Sequence, residues 1–149
     1  MWLVRPAATS FERIKVPYWL TVAAFVLHKV EENRARFFET LSREVTGVAE
    51  PEATPLLFVA MLIVPAGAWL LAPSLMGRRH ALGTYLAYTL FASMALGELA
   101  HFVFPLLTGH GYGYFPGMVT VFVLAPLGGW GLWRLWSSPA SRSTGPAPG

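Results

Sequence analysis

From Pro55 to Gly77 the chain reads "PLLFVAMLIVPAGAWLLAPSLMG", 23 residues without a charge. At a rise of about 1.5 Å per residue, such a run covers a hydrocarbon layer of about 30 Å as one helix. No other feature restricts the fold as strongly. Lipid offers the backbone no water to bond, so a crossing segment must be a helix or part of a closed barrel. Two further runs follow, Ala81 to Leu107 and Phe115 to Trp136. The second ends in Trp130, Trp133 and Trp136, and the tryptophans as a group are expected in the aromatic belt at the membrane surface.

The first apolar segment is less plain. Val16 to Leu27 supplies twelve residues, or about 18 Å of helix, which falls short of a crossing. It reaches across if "HKVEENRAR", His28 to Arg36, prolongs the same helix. The helix formers Glu31, Glu32, Arg34, Ala35 and Arg36 favour that, and Pro17 suits a first helical turn. No small-residue cleavage site follows the run, as a removable signal peptide would require. The expected fold class is therefore all-α, a four-helix transmembrane bundle. Its organisation is an N-terminal arm (1–15), a membrane domain (16–136) and a disordered Ser, Pro, Gly and Ala tail (137–149). Residues 37–54 read as a polar connector. Pro65 and Pro126 should bend their helices, and the pairs Ser93 with Gly97 and Gly113 with Gly117 should permit close helix contact.

Composition excludes several classes of function. With 54% hydrophobic and 13% charged residues, the chain is more apolar than a soluble domain of its length requires. Cysteine is absent, so disulfides and thiolate metal sites are ruled out and any metal must be held by nitrogen and oxygen. The net charge of +3 comes from scattered basic residues, without the clustered stripe or motif of a nucleic-acid binder. Arg5, Arg13, Lys15, Arg78, Arg79, Arg134 and Arg142 fall on one side of the four-span topology. That side is expected to be cytoplasmic, with both termini on it, and the protein is expected in a bacterial inner membrane. The expected partners are the bilayer and a lipophilic substrate. Nothing in the sequence sets an oligomeric state.

In such a chain the ionisable residues within the spans need a reason. With alternating spans, the C-terminal halves of the first and third helices lie at one depth, and the fourth helix begins there. His28, Glu31 and Glu32 occupy the first helix, Glu98 and His101 the third, and Tyr114, Pro116, Gly117 and Thr120 the start of the fourth. Residues three or four apart share a helix face, so two carboxylate and imidazole faces should oppose each other. Charges at that depth are costly unless paired, hydrated or coordinated.

The expected ligands are thus His28, Glu31, Glu32, Glu98 and His101, around a divalent metal: one zinc, or two iron or manganese ions. Such a site would activate water for hydrolysis or activate oxygen. Glu31 or Glu32 would act as general base, with Tyr114 and Thr120 supporting the bound group. Blander readings stand beside this one. The first helix end would simply pair its acids with Lys29, Arg34 and Arg36, and Glu98 with His101 would be a structural pair. His110 reads as a loop histidine and His80 as part of the basic link. A proton or ion relay through the same residues is the main rival function, and a non-catalytic scaffold is the third.

His28-Lys29-Val30-Glu31-Glu32 and Tyr114-Phe115-Pro116-Gly117-Met118-Val119-Thr120 together resemble the HXXEE-domain family of small multi-spanning membrane proteins. In that family a His-x-x-Glu-Glu motif precedes a Tyr-x-Pro-Gly-x-x-Thr element. The resemblance spans roughly residues 16–135 and implies a membrane domain with a polar site. A third family element, Asn-x-x-x-His, is met by His101 but has Gly97 in place of its asparagine, with Glu98 adjacent as a substitute. Glu31 to Arg36 also looks like the Glu-Glu-x-x-x-Arg motif of intramembrane CAAX-type proteases. Gly97 stands where their later motif has phenylalanine before His101, and Tyr114 falls where their final motif has Asn or Asp.

Overall fold

The computed structural model describes residues 10–48 and 54–137, and at 54, 55, 57 and 58 the backbone alone. Its helices are α1 (Lys15–Arg34), α2 (Phe37–Thr40), α3 (Thr54–Gly77), α4 (Ala81–Leu96), α5 (Ala100–Val103) and α6 (Met118–Trp136). Short 3-10 turns occupy Phe11–Arg13, Gly97–Leu99 and Phe104–Leu107, and one π-helical turn covers Leu41–Thr46. The fold is all-α, with no strand among the described residues. Val59–Gly77, Ala81–Leu107 and Met118–Trp136 are long and apolar enough to cross a membrane. The arm before residue 10 and the tail after 137 lie outside the described residues.

α1 is continuous through His28, Lys29, Glu31 and Glu32, so the polar segment does prolong the short apolar one. It stops at Arg36, which adopts the left-handed conformation with φ 55°, a common way of closing a helix. The Ala35 and Arg36 amides donate to the Glu31 and Asn33 carbonyls there, at 2.8 and 3.3 Å. The expected polar connector is helical from Phe37 to Thr46, and the turn before it brings the apolar Phe37 ring back onto the bundle.

α4 packs against α3 and α6, and α6 against α1, which leaves the α1–α3 seam as the thinly packed side. The interior is filled by Ile14, Tyr18, Phe25, Leu90, Phe91, Met94 and Leu124, while Leu56, Ile63, Val64, Phe122 and Trp136 face outward. The outward faces are apolar, as lipid contact demands. Close contact between α4 and α6 runs through Gly128 and Gly131, not through the expected pairs. A Cβ at Gly128 would stand 2.7 Å from the Ala95 backbone nitrogen, and one at Gly131 would overlap the Phe91 ring. Ser93, Gly97 and Gly113 are exposed.

Pro73 lies inside α3, where it deprives the Trp69 carbonyl of its helical donor. The buried Tyr18 hydroxyl of α1 donates to that carbonyl, repairing a deficit that lipid could not. Trp69 is itself buried, so it departs from the belt expected of the tryptophans. Its indole N–H donates to Thr89 Oγ1 at 3.2 Å and its ring meets Phe25 edge to face. Trp130, Trp133 and Trp136 are exposed near the C-terminal end of α6.

Candidate metal centre

His28 and Glu32 lie four residues apart on α1, so both point to the same side of that helix. Glu98 and His101 come from the stretch where the third span leaves regular α-helix: α4 ends at Leu96, a 3-10 turn runs Gly97–Leu99, and α5 resumes at Ala100. That break sets the two side chains on one side at a spacing of three. The four residues form a ring of nitrogen and oxygen. His28 Nε2 is 3.1 Å from Glu32 Oε1 and 3.2 Å from Glu98 Oε2. His101 Nε2 is 3.2 Å from the same Glu32 oxygen and 3.3 Å from the same Glu98 oxygen. One donor atom from each residue lies within 4.8 Å of every other. Ligand atoms about 2.0–2.2 Å from a shared ion stand roughly 2.8–3.1 Å apart at right angles and roughly 3.3–3.6 Å apart at the tetrahedral angle, so the adjacent separations lie in the range for a single ion.

Hydrogen bonds behind the ring fix which nitrogen faces inward. His101 Nδ1 lies 2.6 Å from the Pro116 carbonyl, which can only accept, so the proton sits on Nδ1 and Nε2 presents its lone pair. His28 Nδ1 is 2.8 Å from Thr120 Oγ1. The Thr120 hydroxyl proton goes to Glu31 Oε2 at 2.6 Å, so the hydroxyl oxygen accepts from His28 and the same tautomer follows. Both imidazoles therefore aim lone pairs at carboxylate oxygens, an arrangement that repels itself without a cation. Protonated rings would be the alternative. Yet the buried His28 Nε2 makes no hydrogen bond, because neither oxygen lies near the direction an N–H would take.

Glu31, expected among the ligands, is turned elsewhere. Its Oε2 accepts from the Thr120 amide at 2.9 Å as well as from the hydroxyl, and its Oε1 accepts from the Val119 amide at 3.2 Å and the Tyr114 hydroxyl at 2.8 Å. The amides at the start of α6 have no side-chain cap from Gly117, and a carboxylate there satisfies them and complements the helix dipole. Glu31 is thus the cap of α6, supplied from α1. Tyr114 and Thr120, expected to contact the bound group, reach the ring through Glu31 and His28. Partial burial, then the Glu31 carboxylate, push the Tyr114 phenol above its ordinary range, which keeps it a donor.

Several neighbours escaped the sequence reading. Gly117 has φ 96°, and a Cβ there would stand 2.6 Å from His101 Cε1 and 2.8 Å from His28 Cε1, so both rings rest on its bare backbone. The Phe37 ring lies 5.1 Å from the His101 ring and 5.9 Å from Phe115. Together with Phe104, these rings cover His101 with apolar surface. In the sequence the trace of such a cover is the pair Phe37 and Phe38 just past the polar end of the first helix. Lys29 Nζ reaches Glu32 Oε2 at 2.6 Å, which is the pairing anticipated for that acid, coexisting with the ring. Arg36 pairs with Glu39 instead. His110 is exposed, and His80 caps α4 by accepting from the Leu82 amide at 3.2 Å.

No curated protein and no solved structure matches this chain. Residues 19–131 match the family described as "protein of unknown function with HXXEE motif". The match runs from the first turns of α1 into α6 and contains every residue of the ring, Glu31 and the Tyr114–Thr120 element. The chain belongs to the HXXEE family.

Proposed function

We propose that this protein is a membrane metalloenzyme that holds one divalent ion on His28, Glu32, Glu98 and His101 and acts on a lipid-soluble substrate. The observation that supports it most is the four-atom ring in which His28 Nε2, fully buried, faces two carboxylates without a hydrogen bond. Charge supports it too. Glu31, Glu32 and Glu98 set against Lys29 and a divalent ion leave the region neutral, whereas without the ion it keeps two uncompensated acids. A divalent ion supplies Lewis acidity, polarising a carbonyl or lowering the pKa of bound water. Two imidazoles and two carboxylates fill a tetrahedral zinc but leave two positions at a six-coordinate iron or manganese, so the catalytic reading goes with the latter.

The chain's own residues divide the remaining work. Lys29 ties Glu32 in place, and the bonds to Thr120 and the Pro116 carbonyl hold the two rings. Glu98 meets the imidazoles and no further donor among the described residues, which makes it the acid best able to exchange a proton with substrate. Glu31 is committed to its four hydrogen bonds, so it leaves the role of base to Glu98 or Glu32. In this reading the protein is embedded in a cell membrane, and the distribution of basic residues supports cytoplasmic termini with the ring toward the opposite face.

The test is metal analysis of purified protein beside His101→Ala and Glu32→Ala. One ion per chain, lost in both variants, is expected; a content unchanged by either substitution would refute the proposal. The continuous chain Tyr114–Glu31–Thr120–His28 from an exposed phenol to the buried ring favours a second reading, a proton relay. That reading predicts pH-gradient-dependent flux in proteoliposomes from a protein free of transition metal.

A further inference from the structure

We infer that the seam between α1 and α3 binds an acidic amphiphile, an anionic headgroup on a hydrocarbon tail, taken laterally from the leaflet beside the ring. α1 and α3 meet through Tyr18, Phe25 and Trp69 at the deeper part of the seam. Toward the ring the seam opens into a groove of about 240 Å³ lined by Val26, Lys29, Val30, Asn33, Arg34 and Leu62. The lining is ordered by polarity. Along α1, Val26 to Arg34 covers about 12 Å of rise, with Val26 deepest, then Lys29 and Val30, then Asn33 and Arg34 at the helix end. Leu62 joins the lining from α3. A lipid inserted from that leaflet has the same order, charge outside and hydrocarbon within.

Charge selects the headgroup. The lining carries Arg34, the Asn33 amide and Lys29, whose ammonium is shared with Glu32 behind it, and no carboxylate of its own. Arg34 is exposed and has no acidic partner among the described residues, unlike Arg36 and Arg43, which pair with Glu39 and Glu44. Val26 and Val30 are about half exposed, giving the tail an apolar wall open to lipid. The groove also adjoins the ring, since Lys29 bonds from its inner side to Glu32 Oε2. A headgroup on Lys29 is then one carboxylate away from both imidazoles. As a substrate site the groove rests on the function proposed above; as a lipid site it does not.

Native mass spectrometry of the full chain in nanodiscs tests this with phosphatidylglycerol, phosphatidylcholine and inorganic phosphate as probes, on wild type, Arg34→Gln and Val30→Trp. Phosphatidylglycerol should bind saturably, with phosphatidylcholine and the Arg34→Gln variant each about fivefold weaker. Val30→Trp, which fills the groove, should abolish binding, and both variants should keep the wild-type metal content as proof of folding. Equal binding of the two lipids, an unaffected Val30→Trp, or displacement of the lipid by free phosphate would overturn the inference. Phosphatidylglycerol bound to a wild type that holds no metal would support the groove and sink the metal centre.

Discussion

The two ends of the bundle solve the same problem by different means. Around Tyr18, Phe91, Leu124 and Leu135 the helices are held mainly by apolar contact, with isolated hydrogen bonds beside it: the Tyr18 hydroxyl repairs the carbonyl freed by Pro73, and the Trp69 indole donates to Thr89. Around His28 and His101 the helices are held by charge and hydrogen bonds: Glu31 caps α6, Thr120 and the Pro116 carbonyl fix two imidazoles, and Lys29 ties Glu32. Packing energy varies smoothly with volume, whereas a buried polar network is costly when partly satisfied. The difference teaches that the ring end stays polar within apolar surroundings, and that its geometry depends on bonds supplied from outside the four residues of the ring.

Substitutions can break this contrast. Removing a ligand with His101→Ala or Glu32→Ala should abolish stoichiometric binding, as read by elemental analysis. Gly117→Ala comes next. Its methyl group collides with both imidazoles at a backbone φ of 96°, so metal should be largely lost although no ligand has been changed. Thr120→Val removes the acceptor behind His28 and should weaken affinity by about ten- to a hundredfold in a competition titration with a chelator, the usual effect of losing such a partner. Glu31→Gln should weaken it less. Its main effect should be about 1 kcal/mol of thermal stability in detergent, from the poorer cap on α6. At the other end, Phe91→Ala should cost about 3–5 kcal/mol of stability while leaving the metal stoichiometry of the folded fraction unchanged. If Phe91→Ala released metal as readily as Thr120→Val, the division of the bundle into two ends would fail.

Much of this was legible in the residues themselves. A charge-free run of 23 residues and its two companions fixed the fold class, because length and polarity alone decide what can cross lipid. The i, i+4 spacing of His28 with Glu32 and the i, i+3 spacing of Glu98 with His101 placed each pair on one face, and counting spans placed them at one depth. What spacing does not separate is Glu31 from Glu32. Both neighbour His28 on α1, and only the position of α6, whose first amides need a cap, decides which carboxylate turns to the ring. Pro73 and Tyr18 are equally silent in one dimension, because the carbonyl deficit and the hydroxyl that meets it are 51 residues apart. The cover by Phe37 depends on the left-handed Arg36, an unusual conformation for a residue with a side chain.

X-ray absorption on the purified wild-type protein, loaded with iron, manganese or zinc and freed of excess, tests the central claim most directly. One ion per chain with a first shell of nitrogen and oxygen alone, including the outer scattering of two imidazoles, is the predicted result. A chain that retains no ion, or an ion whose spectrum shows no imidazole, would contradict it.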